Sequence, residues 1–204
     1  MNLYAYLYEN YGYDNPIIVT ELNIERYSKN NIRQMLYLLE KSKKIERYSN
    51  GVYYIARDTI FGKSKLNFEH VLAKKYISND KETYGYFTGL YLKNQLGLTT
   101  QMPNIPEIIS NKECSKRRII EMRGREAIVK KSYISINEKN AKTLQFFDLF
   151  KYLDSSEIEQ NKQVLIDYIK KEKFTKSQTS EYLCQYPKEV INRFIRSGLI
   201  YEFA

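Results

Sequence analysis

The sequence predicts an α+β protein: an N-terminal winged helix-turn-helix over residues 1–56, then, over residues 57–204, a mixed α/β domain with a small antiparallel sheet. Three observations predict it. Ser28 to Ile55 reads as an amphipathic helix that ends in a basic turn and runs into a tight hairpin. Residues 105 to 136 alternate apolar and polar in short runs, the period of strands. The last third of the chain returns to helical spacing.

Taken in order, residues 1–11 predict a first helix with Leu3, Tyr6 or Leu7, and Tyr11 inward, ended by Gly12. Pro16 to Val19 is extended, and Thr20 is placed to cap a second short helix holding Leu22 and Ile24. Ser28 caps the third helix, Lys29 to about Ser42, whose Ile32, Met35, Leu36 and Leu39 recur at helical spacing. Ile45–Tyr48 and Val52–Ile55 are strands around Ser49-Asn50-Gly51, which tolerates the positive φ of a tight turn. Helix, helix, helix, strand, strand is the order of a winged helix.

Ala56 to Lys65 reads as a linker and Leu66 to Ile77 as a helix, with a boundary at Ser78-Asn79-Asp80. Thr88 or Gly89 starts a helix that ends at Leu96, with Gly97 after it. The runs Ile105–Ser110, Arg117–Met122 and Glu126–Ile136 predict an antiparallel meander. Asn137 caps a helix to about Tyr152 that buries Leu144, Phe147 and Leu149 or Phe150, and further helices fit 156–171, 176–184 and 187–197.

Composition narrows the function. The chain carries a formal charge of +9, and a protein this basic often meets a polyanion. Cys114 and Cys184 form no disulfide or zinc framework, so a reduced, cytoplasmic setting is expected, with no metal and no cofactor. The N-terminus lacks the basic-then-apolar pattern of a signal peptide, and no apolar run approaches the ~20 residues of a membrane span. There is no GxxxxGK[ST] loop, no GxSxG, no Gly-Ser dipeptide and no Glu-x-Lys triplet. No catalytic residue is assigned, and an enzyme is not expected.

Charge is concentrated in two places. From Arg26 to Tyr48, seven basic residues face two acidic ones, a local +5. On the third helix, Lys29, Asn30, Arg33, Gln34, Tyr37 and Lys41 share a face apart from the apolar one. Arg33 can read guanine, and Asn30 or Gln34 adenine, in a major groove. Lys43, Lys44 and Arg47 are placed to hold phosphates, with Ser49 and Asn50 at the wing tip. A glycine usually ends such a helix; here the position is Lys43. From Lys112 to Lys131, eight basic residues face three acidic, again +5. Lys116, Arg117, Arg118, Arg123, Arg125 and Lys130 there form either a second nucleic-acid surface or a solvated sheet face. The C-terminal helices, with Lys188, Arg193 and Arg196, imitate a helix-turn-helix but read more simply as a packing unit that closes the domain.

The wing N-G-V-Y-Y-I at 50–55, F-G at 61–62, Y-G-Y-F-T-G-L at 84–90 and N-Q-L-G-L-T-T-Q-M-P-N at 94–104 resemble the AbiEi family of antitoxins. I-I-S-N-K at 108–112 and I-N-E-K-N-A at 136–141 fit the same pattern, with Ser110 where threonine is more usual. The resemblance covers nearly the whole chain, and L-G-L-T-T-Q-x-P is its most specific part. It implies an N-terminal winged helix that represses its own operon by binding inverted repeats in double-stranded promoter DNA. It also implies a C-terminal domain that counters a nucleotidyltransferase-like toxin of phage abortive infection, generally without a stable complex. The family has no universal catalytic motif. Two alternatives stay open: a winged helix that docks a toxin or another protein, and, more remotely, a nuclease using scattered carboxylates.

Overall fold

The computed structural model describes residues 2–79 and 81–203. The chain divides into two compact units: Met1–Lys75 with Glu121–Arg125, and Tyr76–Ile120 with Glu126–Ala204. Among the described residues no helix is long and apolar enough to cross a membrane.

The first unit opens with α1 (Leu3–Tyr11), capped by the Asn2 side chain, which accepts from the Ala5 N–H at 2.8 Å. Gly12, at φ +64°, ends it as expected. Strand β1 (Ile17–Ile18) is followed by a single 3-10 turn, Val19–Glu21. The second helix expected from Thr20 does not form, and Thr20 caps nothing. Four or five residues cannot repay the entropy of nucleating an α-helix, and Leu22 reaches the core from extended backbone instead.

Helix α2 (Lys29–Lys41) begins at Ser28, whose hydroxyl accepts from the Asn31 N–H. Strands β2 (Glu46–Ser49) and β3 (Val52–Tyr54) follow; the sheet order is β1-β3-β2, antiparallel throughout. The β2–β3 register shifts between Arg47 and Ser49, and Gly51 turns the hairpin at φ +72°. Leu3, Leu7, Ile17, Leu22, Ile32, Leu36, Ile45 and Ile55 form the core of this layer. Met35 and Leu39 pack against its edge, half-buried.

Residues 56–65 are not a plain linker. They hold a small hairpin, β4 (Asp58–Thr59) and β5 (Gly62–Lys63), whose Thr59 side chain ties the turn by donating to the Gly62 carbonyl and accepting from the Phe61 N–H. Helix α3 (Phe68–Tyr76) comes next.

In the second unit, β6 (Gly85–Thr88) leads directly into α4 (Gly89–Gln95). Gly85 is required by space: a methyl there would run into the carbonyls of Tyr76 and Ile109. Strands β7 (Glu107–Ser110), β8 (Arg118–Met122) and β9 (Arg125–Lys131) complete a sheet of order β6-β7-β9-β8. The expected antiparallel meander is corrected here. β6 and β7 are antiparallel, but β7 pairs with β9 in parallel, Glu107 opposite Ile128. Apolar–polar alternation fixes which face a strand buries and says nothing of its direction.

Helix α5 (Ala141–Leu149) is buried at every position but Lys142; Leu144, Phe146, Phe147 and Leu149 are wholly buried. Helices α6 (Ser155–Gln160), α7 (Lys162–Glu172), α8 (Lys176–Tyr182) and α9 (Lys188–Arg196) wrap it. The single helix expected over 156–171 is two, broken at Asn161, whose side chain donates to the Glu157 carbonyl. Phe146 lies at the centre of an aromatic cluster, with Phe150 and Phe174 each 5.4 Å away between ring centroids. Such edge-on and tilted pairs add to simple burial.

Candidate nucleic-acid interface

The sequence divides α2 into two faces, and the fold uses them differently. Ile32 and Leu36 are buried against α1 and Ile45. Lys29, Asn30, Arg33, Gln34, Tyr37 and Lys41 are all exposed, Tyr37 at 59%. Arg33 donates to the Asn30 side chain at 3.4 Å, a weak contact that leaves most of its five N–H donors free. Leu38, absent from the sequence-based site, is 61% exposed beside them.

The helix ends on a cation held in an unusual conformation. Lys43 adopts φ +58°, where glycine is normally found. Its N–H donates to the Glu40 carbonyl at 2.9 Å, and the Lys44 N–H donates to that of Leu39 at 3.0 Å. The Lys43 carbonyl accepts from Lys63 Nζ at 2.9 Å, and the same ammonium pairs with Glu46 at 2.8 Å. That hydrogen bond to Glu46 holds Lys63 above the usual lysine range. The small hairpin β4–β5 is thereby tied to the end of α2, a link carried by a lysine that sequence reading had no reason to choose.

The wing is partly pre-shaped. Arg47 donates to the Asn50 side chain at 3.2 Å and lies over the Tyr53 ring. Asn50 is exposed at the turn, while Ser49 is half-buried and donates to Met122 Sδ at 3.5 Å. Ser49 thus flanks the turn as the last residue of β2, with its hydroxyl engaged by Met122. Lys44 is exposed, 5.9 Å from the Tyr4 ring centroid.

The second basic stretch is divided between the two units. Arg123 and Arg125 belong to the first unit, and Lys116, Arg117, Arg118 and Lys130 to the second. Arg123 donates through Nε to the Tyr48 carbonyl at 3.0 Å and through a terminal nitrogen to that of Arg47 at 2.9 Å, so it braces strand β2. Arg125 pairs with Glu69 at 2.6 Å over the Phe68 ring. Arg118 pairs with the buried Glu113 at 2.7 Å, and Lys130 with Glu107. Lys116 and Arg117 alone among the six are exposed without such a partner among the described residues. Arg193 of α9 likewise serves the core, donating to the carbonyls of Phe150 and Leu153. Of the groups the sequence proposed, the α2–β2 set shares one unit and stays accessible, and most of the rest are structural.

The clearest feature missed in the sequence is the tip of β4–β5. Ile60 is 93% exposed and Phe61 94%. The signal was Thr59-x-x-Gly62 between two polar residues, legible as a turn but hidden by the small and charged residues around it. Among the described residues no group of three or more His, Cys, Asp or Glu is placed to hold a metal. No family model, curated protein or solved structure matches the chain.

Proposed function

We propose that the first unit is a winged helix that binds double-stranded promoter DNA, with α2 in the major groove and the β2–β3 hairpin along the backbone. We propose further that the protein is the antitoxin and autorepressor of a bacterial toxin–antitoxin pair. The observation that carries the DNA reading is the exposed cationic face running from Lys29 through Lys43 to Arg47, rigidly backed by Ile32, Leu36 and Ile45. A helix of this kind supplies base-reading groups along its length and phosphate contacts at its ends. The antitoxin reading rests on the resemblance to the AbiEi family. Its functional partner is a nucleotidyltransferase-like toxin encoded beside it, and two copies would occupy inverted repeats in the operator.

Gel retardation of the native promoter fragment tests the DNA reading. Arg33→Ala is expected to weaken binding by about 1–3 kcal/mol and to relax base preference at one position. Retardation unchanged by that substitution would remove Arg33 from the interface. Co-expression with the adjacent gene tests the second half: growth restored by this chain supports the antitoxin role, and growth arrest despite it rejects that role. Exposed Leu38, Ile60 and Phe61 favour one other reading, a module that docks a protein directly. Stable co-purification with the neighbouring gene product, combined with no promoter retardation, would select it.

A further inference from the structure

A cavity of about 600 Å³ opens within the second unit, a size suited to a small-molecule ligand. Four lysines line it, and they fall into two pairs by environment. Lys151 is bound to Asp148, and Lys130 to Glu107 and, at 3.2 Å, to the Tyr152 hydroxyl. These two are neutralised where they lie. Lys116 and Lys131 are exposed and have no acidic partner among the described residues. The Lys131 N–H donates to the Ser115 carbonyl at 3.1 Å, which brings the two lysines' backbones together.

The lining carboxylate does not cancel them. Asp148 is 1% exposed; one of its oxygens takes Lys151 and the other accepts from the Thr88 hydroxyl at 3.2 Å. Burial also pushes its carboxyl above the ordinary aspartate range, despite Lys151. Two lysines without an acidic partner in the lining of a partly apolar cavity focus positive potential into it. Aromatic surface is present too: Tyr186 is packed into the wall, and Tyr133 is 81% exposed. A lysine pair binds phosphate as point charges, and an open tyrosine ring accepts a flat base by stacking without regard to its identity.

We propose that this cavity binds a nucleoside 5′-monophosphate group, with the phosphate held by Lys116 and Lys131 and the base laid on Tyr133. The group is either a free mononucleotide or the 5′-phosphorylated end of a nucleic acid strand. The proposal stands apart from the DNA reading of the first unit, since none of its residues lies there.

Isothermal titration of the full chain tests it, with adenosine 5′-monophosphate, adenosine, inorganic phosphate, and a tetranucleotide carrying either a 5′-phosphate or a 5′-hydroxyl. The monophosphate is expected to bind at one site, at least about tenfold tighter than adenosine or inorganic phosphate. Lys116→Glu with Lys131→Glu is expected to remove that binding while leaving the melting temperature of the unliganded protein unchanged. Tyr133→Ala is expected to bring the monophosphate down to the affinity of inorganic phosphate. Preference for the phosphorylated tetranucleotide over the mononucleotide would support the proposal with a strand end as the source, and the reverse would support it with a free nucleotide. No heat from the monophosphate at millimolar concentration, or equal binding by the double variant, would overturn it.

Discussion

At the scale of single residues, Lys43 and Asp148 each stand in a place that costs stability. Lys43 holds φ +58° after the last turn of α2. A left-handed backbone costs an L-residue roughly 1–2 kcal/mol, which glycine avoids. Lys43→Gly is therefore expected to stabilise the chain by about 1 kcal/mol, seen as a higher midpoint in urea; an unchanged or lower midpoint would show that the position is not strained. The lysine keeps a cation at the foot of the proposed interface, where a glycine would leave none. Asp148 is costly through burial, which raises its carboxyl above the ordinary range. The folded state then holds that proton more tightly than the unfolded chain does. The stability tied to it is complete below the ordinary aspartate range and is lost as pH rises through the raised value. Asp148→Asn should flatten that part of the profile of urea midpoint against pH, and parallel profiles for the two proteins would argue against the assignment.

At the scale of elements, the contacts that a strand or helix makes decide what the sequence can announce. Gly85 illustrates a contact invisible in pattern. It lies in β6 against the carbonyls of Tyr76 and Ile109. Gly85→Ala must push backbone apart and is expected to cost about 1–3 kcal/mol or more, measurable in the same urea titration; a neutral substitution would mean the strands can yield there. Helix α2 and the hairpin after it were legible because local rules suffice for them: a serine cap, apolar spacing, and Asn50-Gly51 at the turn. The exposed polar face of α2 was legible for the same reason, since one amphipathic helix defines both its sides. What escaped depends on partners distant in sequence. The parallel pairing of β7 with β9, the brace from Arg123 to β2, and the tie from Lys63 to the Lys43 carbonyl join residues 20 to 76 positions apart. The break between α6 and α7 is local, but an asparagine side chain that turns back on its own helix leaves no apolar gap to betray it.

At the scale of the whole molecule, charge is the property that counts. The proposed face carries Lys29, Arg33, Lys41, Lys43, Lys44 and Arg47, all exposed. If each displaces a counterion from phosphate, the logarithm of the association constant should fall with the logarithm of salt concentration at a slope of roughly −5 for each bound chain. Fluorescence anisotropy with a labelled promoter duplex gives that slope directly, and a value shallower than about −2 would be incompatible with the assigned surface. A shorter stretch of the polypeptide would be a poor substitute in such work. The first unit owes Glu121–Arg125 to a distant part of the chain, and a fragment stopped at Lys75 would leave the Arg47 and Tyr48 carbonyls without the guanidinium that donates to them. Deletion mapping would then report a loss of binding that belongs to a missing strut rather than to a missing contact, and only substitutions within the intact polypeptide can tell the two apart.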